Sequence, residues 1–411
     1  MLDLLFRNIG ISTGSGRYDI GVKDGLIIRF EPVGAGEELP PAQETIAGEG
    51  RILLPGLVEA HIHLDKAFLT EKSPVAAGGL AEAIAVTRAL KNHYTYEDIS
   101  SRATRVLERS ARFGVTSMRC QVEVDPIIGL QAMEATLALK EKWRDTIDLQ
   151  LVVFPQEGII QQPGTAELME ESLRMGADVV GGIPYNDYSA NDHVKIVFDL
   201  AEKYGKPVDL HIDFSDNPSE LNILMVAEET INRGYQGRVA AGHVTSLGSV
   251  ARDHALQYAE KLAEADLQII CLPATDLYLG GRQDEQAARR GLTPVKLLQA
   301  AGVNVTMGTN NIRNAFTPYG TGDPLDIALL LANTAQFGTT VELAKIMEMA
   351  TSHAARALGL AQYGISVGAN ADLVLVQADR VEDVIIDRPP RLGVWKNGKK
   401  KSEMVVEARR F

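Results

Sequence analysis

The chain has 411 residues, 45% hydrophobic and 23% charged, which is enough apolar material for a large globular core and excludes a disordered chain. Its formal charge of −13, from 54 acidic against 41 basic residues, argues against a nucleic-acid or anionic-membrane surface, since both need a basic patch. Only Cys120 and Cys271 are present and no apolar run reaches about 18 residues, so a reduced, cytoplasmic, soluble protein without disulfides or a membrane span is expected.

The first residues carry an early Asp3 and no basic region, and do not read as a signal peptide. Residues 3–53 read as short strands and turns. Within them, 19–22 and 26–29 flank Lys23-Asp24-Gly25, a hairpin signal in which Gly25 supplies φ > 0. Residues 34–41 read as a loop. From about residue 56 a strand-then-helix pattern repeats. Candidate strands are 52–63, 116–124, 148–156, 179–184, 207–213, 238–245, 268–275 and 303–310. Most are short apolar runs without alternation, as parallel strands covered on both faces should be. Helical patterns lie between them at 80–91, 101–113, 129–143, 166–175, 192–204, 220–233 and 252–265, with more at 324–336 and 341–358. Eight strands alternating with helices predict an α/β fold, a (β/α)8 TIM-like barrel over residues 55–364. No glycine-rich dinucleotide loop follows the first strand, which counts against an open Rossmann sheet. Further strands at 371–376 and 393–398 predict that residues 1–54 and 365–411 pair into one small β-sandwich domain.

In such a barrel the active site sits at the C-terminal ends of the strands. The polar residues predicted there are His61, His63, Asp65 and Lys66, then Arg119, Gln121 and Glu123. They continue with Gln156 and Glu157, Asp209, His211 and Asp213, then His243, and finally Asn310, Asn311 and Arg313. His61-Ile62-His63 places two imidazoles on one side of a strand. Two ring nitrogens at that spacing can hold one metal ion, at about 2.0–2.1 Å if it is zinc. His93, His193, His254 and His353 fall on helices or loops and read as surface or packing residues. Arg119 and Glu123 read equally well as an ion pair inside the barrel.

The run from Pro55 to Lys66, Phe154-Pro-Gln-Glu-Gly158, Asp209-Leu-His211, Gly242-His243 and the segment 308–320 together resemble the amidohydrolase superfamily. The similarity is to its branch of cytosine deaminase and N-isopropylammelide isopropylaminohydrolase, over essentially the whole chain. The resemblance implies that His61, His63 and His211 bind one divalent metal ion, zinc or iron. It implies that His243 contacts the attacking water or the substrate and that Gln156 hydrogen-bonds an edge of the substrate ring. Lys66 matches a lysine of the isopropylaminohydrolase-like members. A small nitrogen heterocycle as substrate and a homo-oligomeric assembly follow from the same resemblance.

Two positions depart from that pattern. Asn310 stands where the family has a metal-binding, proton-accepting aspartate on strand 8, and Phe214 where cytosine deaminase has a glutamate. A carboxamide is a neutral, weaker oxygen donor without useful basicity. The base role then passes to His243, because imidazole is the side chain whose unperturbed titration, at about pH 6.5, lies nearest neutrality. Asp213, Glu157 and Asp65 are the carboxylates nearby in sequence. A phenyl ring at 214 suits a flatter, more apolar substrate, or packs only against the barrel rim. Asn311, Arg313 and Tyr319 are candidates for holding a substituent. The expectation is a metal-dependent hydrolase of a C–N bond. His243, Asn310 and Lys66 are its catalytic residues, and Gln156, Phe214, Asn311 and Arg313 its substrate contacts. The alternative, motivated by Asn310 and Phe214, is a barrel that keeps a ligand pocket but has lost metal-dependent hydrolysis. A third reading, metal-independent chemistry at Lys66 and Asp65, has no positive feature behind it.

Overall fold

Buried apolar strands without alternation need cover on both faces, and a ring of helices around a closed parallel sheet supplies it. The computed structural model describes residues 1–12, 14–35, 39–73 and 78–405. Its parallel sheet runs through Leu57–Ile62, Val115–Glu123, Asp148–Phe154, Val179–Gly182, Val208–Ile212, Val239–His243, Gln268–Cys271 and Asn304–Met307, neighbours in space in the order of the chain. The ring closes at its mouth through residue 310, whose backbone bridges to Ile62. Asn310 N–H donates to the His61 carbonyl at 2.8 Å, and His63 N–H donates to the Asn310 carbonyl at 2.9 Å. The predicted (β/α)8 barrel is the observed one.

The predicted first strand, 52–63, is in fact two strands in two sheets. Ile52–Pro55 pairs with Leu373–Val376 and with Leu2–Ile11, whereas Leu57–Ile62 begins the barrel. The break is at Pro55-Gly56. A Cβ on Gly56 would lie 2.1 Å from Thr116 Oγ1, so only glycine lets the chain cross there. The second sheet has the order Lys399–Glu403, Arg391–Lys396, Leu373–Val376, Ile52–Pro55, Leu2–Ile11, Gly14–Lys23 and Leu26–Pro32, with Ala42–Ala47 also on Leu2–Ile11. Both chain ends therefore build the small β domain. Its hairpin turns through Asp24 (φ 51°) and Gly25 (φ 80°), the two left-handed residues a two-residue turn requires. Of the loop predicted at 34–41, residues 36–38 lie outside the described residues.

Most helices fall where predicted. Tyr96–Arg112 starts earlier than expected because Thr95 caps it, accepting from Asp98 N–H. The predicted strand 268–275 stops at Cys271, and Pro273 opens the helix Pro273–Leu279 instead. No helix of the described residues is long and apolar enough to cross a membrane.

Candidate active site

His61 lies on the first barrel strand, His63 just past its end and His211 on the fifth. The Nε2 atoms of His61 and His63 each lie 3.1 Å from His211 Nε2. Two ligands on a tetrahedral ion at about 2.05 Å would be about 3.3 Å apart, so the spacing is close to that of ligands around one ion. A neutral imidazole carries a single N–H, so three ring nitrogens in mutual contact cannot satisfy one another. The Nδ1 atoms of His63 and His211 have no hydrogen-bond partner. Burial first, and neighbouring imidazole and cationic groups second, hold all three rings well below the usual histidine range. Burial thus favours the neutral form that a metal ligand must take, and one ring nitrogen of each lies within 4.8 Å of the others. Beneath them Glu59 accepts from the backbone N–H groups of His61 (3.1 Å) and Thr309 (2.9 Å) and from the Thr309 hydroxyl, tying the first strand to the segment that follows the eighth. Burial outweighs those hydrogen bonds and pushes its carboxyl up to about 7.

Asn310, His243, Lys66, Gln156 and Phe214 line one cavity with His63 and His211. The Oδ1 atom of Asn310 is buried there without a partner. His243 Nδ1 lies 2.6 Å from Asp276 Oδ1, and its ring stacks on Phe214 at 4.4 Å between centroids, 24° between planes. Lys66 Nζ donates to Gln156 Oε1 at 2.9 Å and lies 2.7 Å from Glu123 Oε1. Backbone strain gathers here. Asp213, His243, Val244 and Asn310 all have positive φ, between 51° and 72°, at strand ends facing this mouth.

The amidohydrolase family's sequence profile matches residues 76–399. An N-isopropylammelide isopropyl amidohydrolase from Pseudomonas sp. (strain ADP) is 30% identical, over 98% of each chain. The chain belongs to the amidohydrolase family. A pterin deaminase from Rhizobium rhizogenes is 27% identical to this amidohydrolase, over 92% of this chain and 86% of the other. The crystal structure of 5-methylcytosine deaminase from Klebsiella pneumoniae liganded with 5-fluorocytosine superimposes with a TM-score of 0.94 and 32% identity, over 99% of both chains.

Not every residue singled out from the sequence reaches the amidohydrolase cavity. Arg313 lies outside it, with its guanidinium 5.8 Å from the Phe68 ring. Its backbone instead ties two loops, donating to the Tyr319 carbonyl and accepting from Thr70 N–H, and Tyr319 is exposed. Asn311 does line the cavity, but Asn314 occupies its Oδ1 at 2.7 Å. Of the nearby carboxylates, Asp213 caps a helix start, accepting from the backbone N–H groups of Asn222 and Ile223, each at 2.9 Å. Glu157 pairs with Lys91, and Asp65 accepts from Glu123 N–H. The ion pair considered between Arg119 and Glu123 does not form, because each finds a different partner. Arg119 bonds Asp209 at 3.0 Å, and Glu123 lies between Lys66 and Lys91. Phe214 faces the cavity rather than only the rim. Asp276, Tyr185, Phe316 and Leu80 were not foreseen. They come from segments after strands four, seven and eight and from the helix Leu80–Lys91, where no motif marks them.

Proposed function

We propose that this amidohydrolase hydrolyses a C–N bond at an amidine-like carbon of a small nitrogen heterocycle. The convergence of three imidazoles, two of which line the cavity together with His243, itself tied to Asp276, supports this reading best. The donor set fits a divalent ion, zinc or iron: His61, His63 and His211, with the unpartnered carboxamide oxygen of Asn310 on the same cavity. Such an ion supplies the Lewis acidity that makes water nucleophilic near neutral pH. His243, tied at Nδ1 to Asp276, has Nε2 left to take the proton of the attacking water and hand it to the leaving nitrogen. Asn310 has no basicity to share that task. Lys66 and Gln156 bind the ring edge, and Phe214 offers a flat apolar face. With Leu80 and Phe214 in place the inner cavity has about 20 Å³ free, and the same two residues line an outer cavity of about 460 Å³. A substrate ring therefore needs lining side chains to move as it arrives.

The relatives are named for N-isopropylammelide, pterin and 5-methylcytosine, all nitrogen heterocycles, which supports that substrate class here. Nothing beyond the Asn310 and Phe214 replacements favours the alternative of a barrel without hydrolysis. Metal analysis of the purified chain, with ammonia and amine release assayed across pyrimidines, triazines and pterins, tests the reading. One ion per chain and turnover abolished by chelator are expected. Absence of both metal and turnover would sink it. A cytoplasmic homo-oligomer belongs to the same reading, and sedimentation would check the assembly.

A further inference from the structure

Five charged side chains lie buried together beside one wall of the cavity: Lys66, Lys91, Glu123, Asp125 and Glu157. Lys91, the last residue of the helix Leu80–Lys91, lies 2.7 Å from Asp125 Oδ2, 2.8 Å from Glu157 Oε1 and 2.9 Å from Glu123 Oε2. The other oxygen of Glu123 is 2.7 Å from Lys66 Nζ, and Lys66 donates to Gln156 Oε1 at 2.9 Å. Burial alone would neutralise Glu123, but the two ammonium groups outweigh it and hold its carboxyl at about 2. The carboxylate is thus a fixed negative charge shared by two lysines, one on the helix that covers the barrel mouth and one in the cavity.

The consequence falls on Gln156. An amide whose oxygen accepts from an ammonium group has only its Nε2 protons left to offer. No acceptor among the described residues takes them, and Gln156 lines the cavity. Lys66 lines the same wall and is itself a pure donor. This side of the cavity therefore presents N–H groups and no acceptor.

We propose that Glu123 is a positioning residue: by fixing Lys66 it fixes the Gln156 amide, so that the wall selects ring edges bearing oxo groups over edges bearing amino groups. The proposal rests on the reading of the cavity as the substrate site. Calorimetric titration of the full chain, as isolated with its metal, tests it with uracil against 2,4-diaminopyrimidine at a pH where both rings are neutral. The wild type should bind uracil about ten-fold more tightly, because a mismatched buried donor is left unpaired. In E123Q the freed lysine and amide reorient, and the ratio should fall to about one with the circular dichroism unchanged. If E123Q does not fold, K66M interrupts the same chain one link later and should lower the ratio equally. Q156E, which turns an acceptor toward the ligand, should invert the preference. A full ratio in folded E123Q or K66M overturns the proposal, as does a wild type that prefers the diamine or binds neither ring at millimolar concentration. Turnover of heterocycles alongside an unchanged ratio would leave the hydrolase standing and remove Glu123 from its recognition.

Discussion

Asn310 does two jobs with different parts of one residue. Its backbone closes the barrel between the first and eighth strands, and its side-chain oxygen sits unpartnered on the cavity. Asn310→Asp keeps the first job, and aspartate also tolerates the left-handed φ of 62°. The fold should survive, and divalent-ion affinity should rise about ten-fold or more, since a carboxylate is the better hard ligand. Competition against a chromophoric chelator measures this, and unchanged affinity would show that the side chain is not a ligand. Asp276 acts through His243. Asp276→Asn leaves the ring in place without the acceptor that fixes its tautomer, so kcat should fall by about 10²–10⁴ with little change in KM. Steady-state kinetics check that split. The histidine pair at 61 and 63 was legible because a strand's period of two is written in the sequence. Asp276 was not, because its helix begins where the apolar run suggested a continuing strand.

Loops become rigid where one carboxylate serves several donors. Asp187, after the fourth barrel strand, accepts from the N–H groups of Ile159 (2.7 Å), Ile160 and Gln161 (both 2.9 Å), and contacts His193 Nδ1 at 2.9 Å. It thereby fixes the loop that follows Gln156. Burial raises its pKa, but the His193 imidazole and the three N–H groups outweigh burial and hold it well below the ordinary 3.8. A carboxyl depressed on folding stabilises above its unfolded value of about 3.9, and that stabilisation is lost as pH falls below it. Asp187→Ala should therefore cost about 2–3 kcal/mol at pH 7 in urea titrations, shrinking below about pH 4. A difference independent of pH would mean that packing, not charge, holds the loop. The helix Leu80–Lys91 obeys the same logic at larger scale. Lys91→Met leaves three carboxylates without their shared cation and should destabilise by about 3–5 kcal/mol. Its helical pattern was readable, but the partners of Lys91 come from distant strands and were not.

The two sheets share a core. Leu54, Val374, Val376 and Val394 of the terminal sheet pack into the main cluster with the barrel, while Phe6, Ile20 and Trp395 form a second cluster on the sheet's other face. Ion pairs span the same junction, the buried Arg391 to Asp323 at 2.6 Å and Lys396 to the exposed Asp148 at 2.6 Å. Trp143 follows the barrel and Trp395 the terminal sheet, and they are the only tryptophans. Single-tryptophan variants W143F and W395F should unfold in urea at one coincident midpoint, because neither sheet can expose its face without the other. Two separated transitions would show that the halves fold independently. The sequence by itself determined the barrel, the donation of strands by both chain ends, and four histidines at strand ends. Apolar runs, turn residues and side-chain period are local properties, and local properties survive in one dimension. Only the tertiary structure decided that residues 52–63 serve two sheets, that Arg313 leaves the cavity, and that Asp276 meets His243 and Glu123 meets two lysines. Those contacts join residues far apart in the chain, and no local pattern encodes which distant partner a buried charge will find.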